Sequence, residues 1–163
     1  MSNLQFIVFE LEKQQYGVKI DFVNGINKVK DFKISPIPNS TSFIEGMINL
    51  RGKIIPLYNL RKRFRFEKDG IAKNDELLIA NVNDMMMGLI VDEVIDIVRF
   101  EEEDIESTNA LFTTNMVNKF ISSIAKKDEE MIIILDVEKI LTVEEKALIT
   151  PSAKVGDTKT QNI

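Results

Sequence analysis

The chain has 163 residues, 44% of them apolar and 29% charged, with a net charge of −5 and a pI near 4.9. That is ordinary for one globular domain with a core of its own. It holds neither cysteine nor histidine. Disulfides, thiol nucleophiles, the usual zinc sites and every Ser-His or Cys-His arrangement are thereby excluded, leaving carboxylates, lysines and tyrosines for any catalysis. The acidic balance argues against nucleic acid or an anionic membrane as the main partner and points to another protein. Met1-Ser2-Asn3 leads into an apolar run without a basic leader, and no apolar stretch approaches the roughly 20 residues of a membrane span. A cytosolic protein is the expectation.

In chain order the signals are mostly those of short strands. Residues 6–11 (FIVFEL), 16–20 (YGVKI), 46–50 (GMINL) and 53–57 (KIIPL) are apolar, rich in β-branched or aromatic side chains, and bounded by turn formers. Between the third and fourth runs lies Asn49-Leu50-Arg51-Gly52, read as a hairpin turn in which Asn49 and Gly52 tolerate positive φ. Residues 59–64 then form a short helix with Asn59 as N-cap and Leu60 and Phe64 on one face. Its basic cluster Arg61, Lys62, Arg63 and Arg65 reads as a solvated face toward the helix C-terminus. Strands follow at 77–82 (LLIANV) and 87–94 (MGLIVDEV), with Met85-Met86-Met87 most simply the return of a hairpin, although methionine also suits an adaptable binding surface. The acidic run 101–106 (EEEDIE) reads as a solvated loop, since it lacks the spacing and glycine of a calcium-binding loop. A strand at 131–135 runs into a second capped helix, 136–141, with Asp136 as cap. Thr142-x-x-Glu145 has the form of a capping box continuing toward Ile149. Beyond Pro151 the chain is polar and aperiodic, so 150–163 is expected to be a disordered tail.

An internal repeat organises these elements. Residues 6–26 lie on 77–97 without a gap, sharing Gly17/Gly88, Asp21/Asp92, Val23/Val94 and Ile26/Ile97. The glycines suit a close backbone approach and the aspartates a turn or short cap. Residues 53–64 and 131–141 correspond in the same way, each a strand feeding a capped helix. One β-rich unit used twice predicts two small antiparallel barrels of about five strands that share a core.

These residues resemble a family. Phe43-Ile44-x-Gly46, Asn49-Leu50-Arg51-Gly52, a proline-containing strand entering a capped helix, and the repeat around them are similar to the CheW-like domain of bacterial chemotaxis. The resemblance spans about residues 4–149 as a single domain. Thr41 stands where proline is usual and Asn59 where aspartate is usual, the second change keeping the cap chemistry. The resemblance implies a mainly β fold of two SH3-like barrel subdomains with a few short helices. It also implies a stand-alone, non-catalytic adaptor that binds the regulatory domain of the histidine kinase CheA and the cytoplasmic tip of chemoreceptors, without a cofactor. Self-association in receptor arrays belongs to the same set of expectations.

From the residues alone, Arg51 has two readings: a turn arginine whose stem covers apolar surface and whose head pairs with a carboxylate such as Glu45, or a binding cation. The resemblance places Arg51 on the receptor-facing surface, together with Gly46, Gly88, Val94 and Ile97. It places Val23, Gly25 and Ile26 near the kinase contact. The repeat by itself reads Val23, Ile26, Val94 and Ile97 as core. The alternative function on fold alone is a nucleic-acid-binding small barrel using Lys28, Lys30, Lys33 and the 61–65 cluster. An enzyme is the third reading, without histidine, cysteine or a glycine-rich phosphate loop to support it.

Overall fold

The computed structural model describes residues 4–38, 43–107 and 120–140. Eleven strands are present among them: β1 Gln5–Leu11, β2 Gln14–Lys19, β3 Val23–Lys28, β4 Ile44–Leu50, β5 Lys53–Asn59, β6 Glu76–Val82, β7 Met85–Val91, β8 Glu93–Arg99, β9 Ile105–Ser107, β10 Ile121–Lys127 and β11 Glu130–Leu135. They form a six-stranded sheet in the order β8-β1-β2-β11-β10-β9 and a five-stranded sheet in the order β3-β6-β7-β5-β4. The expected pair of mainly β subdomains is therefore present.

The repeat explains the topology. β1 and β2 occupy the places of β6 and β7, and the third strand of each unit is exchanged: β3 pairs with β6, and β8 pairs with β1. Each sheet is thus built from both repeats. The sequence reading did not mark β3, β8, β9 and β10 as strands, and two further details differ from its expectation. The sheets are not wholly antiparallel, because β2 and β11 pair in parallel, as do β5 and β7. The later hairpin of each unit docks beside the first hairpin of the other unit, β4–β5 on β7 and β10–β11 on β2. The six-stranded sheet also gains the short β9 at its edge.

Strands buried on both faces tie the two sheets into one body. In β1, Phe6 and Val8 point into a cluster with Phe100, Ala125, Ile132 and Ile134, while Ile7, Phe9 and Leu11 point the other way. In β6, Leu77 and Ile79 join Ile48, Ile55 and Leu57, while Leu78, Ala80 and Val82 face β1's second set. Alternation along a strand sends successive side chains to opposite faces. Each sheet therefore owns a core, and a third, larger core lies between them. At about 1.5–3 kcal/mol per fully buried large apolar side chain, this central cluster is the main force holding the halves together.

The repeated glycines have the role expected of them. A Cβ on Gly17 would lie 3.0 Å from Ile134 Cδ1, and one on Gly88 would lie 2.8 Å from Leu57 Cδ2. Those are the partners across the two parallel pairs, Gly17 opposite Ile134 and Gly88 opposite Leu57.

The first predicted helix forms as α1, Leu60–Arg63, with the Asn59 side chain accepting from the Lys62 N–H at 3.2 Å. The second is shorter than expected among the described residues: Val137–Lys139 is a 3-10 turn, with the Asp136 side chain accepting from the Glu138 N–H. Thr41, the capping box at Thr142 and the expected tail lie outside the described residues.

Candidate binding surfaces

The β4–β5 hairpin closes tightly because Leu50 pairs with Lys53, leaving Arg51 and Gly52 as a two-residue loop. Both take positive φ, 52° and 87°, the geometry whose twist matches the flanking strands. The left-handed position thus falls on Arg51 itself rather than on Asn49. Asn49 acts through its side chain, Oδ1 accepting from the Gly52 N–H at 2.9 Å. The conformation holds the arginine out of the core, and Arg51 is exposed. Pairing with Glu45 does not occur. Glu45 is the unpaired extra residue of a bulge between Ile44 and Gly46, and it faces Lys62 at 2.9 Å and the Asn59 side-chain amide at 2.7 Å. Among the described residues Arg51 makes no ion pair.

Arg51 instead lines a groove of about 300 Å³ between its hairpin and β3. Lys53, Gly25 and Ile26 share its rim, and Ile55, Ile79 and Met86 give it an apolar floor. Arg51, Gly25 and Ile26, separated in the sequence reading, are thus brought together. Gly25 leaves open space where a side chain would stand. Ile26 is 44% exposed.

Val94 and Ile97 lie elsewhere, on β8 at the edge of the six-stranded sheet. Val94 packs on the central core, as does its counterpart Val23, whereas Ile97 is 50% exposed. Reading all four repeat positions as core is therefore correct for the valines and overturned for Ile26 and Ile97, which face outward on edge strands. A bulge at Ile95 turns a second isoleucine outward beside Ile97. Gly46 and Gly88 are buried. A Cβ on Gly46 would stand 2.4 Å from the Ser35 carbonyl oxygen, because residue 35 bridges to Met47 across it.

The basic cluster is solvated as expected at Arg65, but not at Arg61. Arg61 is 5% exposed and forks onto Asp75, itself 2% exposed. Its remaining donors go to Asp92 and the Gly70 carbonyl. The Asp75 hydrogen bonds, with the two carboxylate charges, push the guanidinium's pKa further above its ordinary range against the opposing effect of burial. Arg63 lies over the rings of Phe43 and Phe120 and donates to the Ile140 carbonyl. Helical position alone cannot reveal such partners, because Asp75 and Asp92 are contributed by distant loops. Lys53 and Ile95 were not singled out in the sequence, although the i, i+2 spacing of Ile95 and Ile97 on one strand held a signal for the latter; Met86 belongs to the methionine run that suits an adaptable surface.

A family model for the CheW-like domain matches residues 5–145. The chain belongs to the CheW-like family. Among its relatives, a chemotaxis protein CheW of Treponema pallidum is 32% identical over 88% of this chain and 85% of that one. Another from Thermotoga maritima is 32% identical over 86% of this chain and 89% of its own length. The crystal structure of the scaffolding protein TtCheW from Thermoanaerobacter tengcongensis superposes with a TM-score of 0.78 at 38% identity, covering 89% of this chain and 97% of that one. The CheW-like architecture therefore extends over nearly the full length of its solved relative.

Proposed function

We propose that this protein is a chemotaxis adaptor that couples the regulatory domain of the histidine kinase CheA to the cytoplasmic tip of methyl-accepting chemoreceptors, by protein–protein binding without catalysis. It would act in the cytoplasm, recruited to membrane-bound receptor arrays. Family membership and the match to a scaffolding protein support the role. The observation that carries the site is Arg51: an exposed guanidinium, held outward by its own backbone and without an ion partner among the described residues, beside an apolar groove. A planar cation so placed suits carboxylates or carbonyls on a helical receptor tip, with the floor taking an apolar side chain. Val94 and Ile97 would extend the receptor contact on β8, and Val23, Gly25 and Ile26 would serve the kinase.

The test is a pair of titrations of Arg51→Ala, against a CheA regulatory domain and against a receptor cytoplasmic fragment. Receptor affinity is expected to fall by about 1–3 kcal/mol, the range of a desolvated anchor, with kinase affinity retained. Equal loss of both would mean that kinase and receptor both depend on the groove that Arg51 shares with Gly25 and Ile26. Tight binding to a single-stranded oligonucleotide that falls steeply with salt would replace the adaptor by the nucleic-acid reading.

A further inference from the structure

Arg61 uses all five of its donors. Nε reaches Asp92 Oδ1 at 2.8 Å, Nη1 reaches Asp75 Oδ2 at 2.8 Å and the Gly70 carbonyl at 2.9 Å, and Nη2 reaches Asp75 Oδ1 at 2.6 Å and Asp92. Asp75 also accepts from the Ala72 N–H, which closes the loop before β6. All of these groups except Asp92 belong to the five-stranded subdomain.

Asp92 is the link to the other half. It sits where the chain leaves β7 and crosses to the six-stranded sheet as β8. Its second oxygen, Oδ2, accepts from the Glu12 N–H at 3.0 Å in the β1–β2 turn, and its own N–H donates to the Glu10 carbonyl at 3.0 Å. One carboxylate is therefore bonded to α1 on one side and to the first hairpin of the opposite sheet on the other.

A buried ion network is a weak source of net stability, because desolvation offsets most of its attraction. What it supplies is direction. Apolar side chains in the central core tolerate small sliding and repacking, whereas a planar fork satisfied at every donor accepts one arrangement.

We propose that Arg61, Asp75 and Asp92 form a polar latch that fixes the angle between the two sheets, with Arg61 as its positioning residue. The groove at Arg51 and the exposed face of β8 lie on different sheets, so the latch sets their relative orientation. That consequence rests on the adaptor reading. The latch itself does not.

The absence of cysteine allows a direct test. Lys53→Cys and Glu129→Cys, exposed at the tips of the β4–β5 and β10–β11 hairpins, carry a nitroxide pair whose distance distribution is read by pulsed electron resonance. The parent is expected to give one narrow distribution. Arg61→Lys keeps the charge but loses the fork, and Asp92→Asn keeps one accepting oxygen and so serves only one side; each is expected to broaden or shift the distribution. Ile79→Ala, in the core of the five-stranded sheet and four residues along from Asp75, should lower the melting temperature and leave the distribution narrow. Asp92 is partly exposed, so its variant decides the matter should Arg61→Lys fail to fold. A parent-like distribution in folded Asp92→Asn, or equal broadening in Ile79→Ala, overturns the latch whatever partners the protein binds.

Discussion

The two sheets repeat one backbone plan and put different chemistry on it. Asn24 in β3 and Ile95 in β8 are the extra residues of bulges at corresponding points, and Glu45 in β4 and Ser122 in β10 are another such pair. The hairpin tips correspond as well: Arg51 and Asp128 share a left-handed φ, 52° and 58°. So do the caps Asn59 and Asp136. The side chains at these points diverge, a cation against an anion at the tips and a polar amide against an isoleucine at the bulges. Turns, bulges and close approaches constrain the backbone and leave the outward side chain free, and those are the points at which the two halves have become different surfaces.

The sharpest difference lies one residue beyond Leu60 and Val137, the first residues of the two corresponding short helical elements. Arg61 stands there in one half and Glu138 in the other. Arg61→Ala would strand Asp75 in the interior without its counter-ion, and a loss of about 3–5 kcal/mol is expected. Glu138→Ala, at an exposed site, should stay within about 0.5 kcal/mol. Urea unfolding of the two variants measures the gap; comparable losses would mean that the halves are not held differently at this point.

The next largest contrast is Gly46 against its counterpart Ser123. Gly46 has φ 149° and lies against the Ser35 backbone, which cannot yield as a side chain can. Gly46→Ala is expected to cost about 2–4 kcal/mol, combining overpacking with backbone strain. Ser123→Ala, where a Cβ is already accommodated, should cost less than about 1 kcal/mol. Gly88→Ala and Gly17→Ala fall between, at about 1–2 kcal/mol, with Gly88 the more sensitive because its approach is closer. A reversed order of Gly46 and Gly88 would mean that the strap at residue 35 gives way more easily than Leu57.

These contrasts also show what the sequence made legible. Period-two apolar runs, shared glycines and cap residues are local or repeat-level signals, and they led to seven of the eleven strands, to α1 and to the doubled plan. The exchange of β3 and β8 was not legible, because repeat matching aligns units without saying which copies pair. The same limit hid the site. Arg51, Gly25 and Ile26 each stood out by motif, but their meeting across one groove depends on how the five-stranded sheet curls. Arg61 was misread for a related reason: helical position made it look solvated, while its carboxylate partners come from a loop and a strand crossing.

The smallest expected effect concerns a titration that one repeat position has and its counterpart lacks. Tyr16 in β2 corresponds to Met87 in β7, and both lie in the central core. Tyr16 stacks on Phe9 and packs against Phe64. Burial raises its pKa above the ordinary value of 10.0, since a phenolate is poorly solvated there. In the unfolded chain the phenol ionises first, so the folded state binds the extra proton and its stability falls as pH rises through 10 toward the folded value. Below that pH the contribution is complete. Melting temperatures of the parent and Tyr16→Phe between neutral pH and strongly alkaline conditions isolate this term: the variant should lose stability less steeply above pH 10. Substitution at Met87, which has no proton to lose, should leave the alkaline slope unchanged. Parallel slopes for the parent and Tyr16→Phe would mean that the alkaline response arises elsewhere, and that the central core is as insensitive to pH on the Tyr16 side as on the Met87 side.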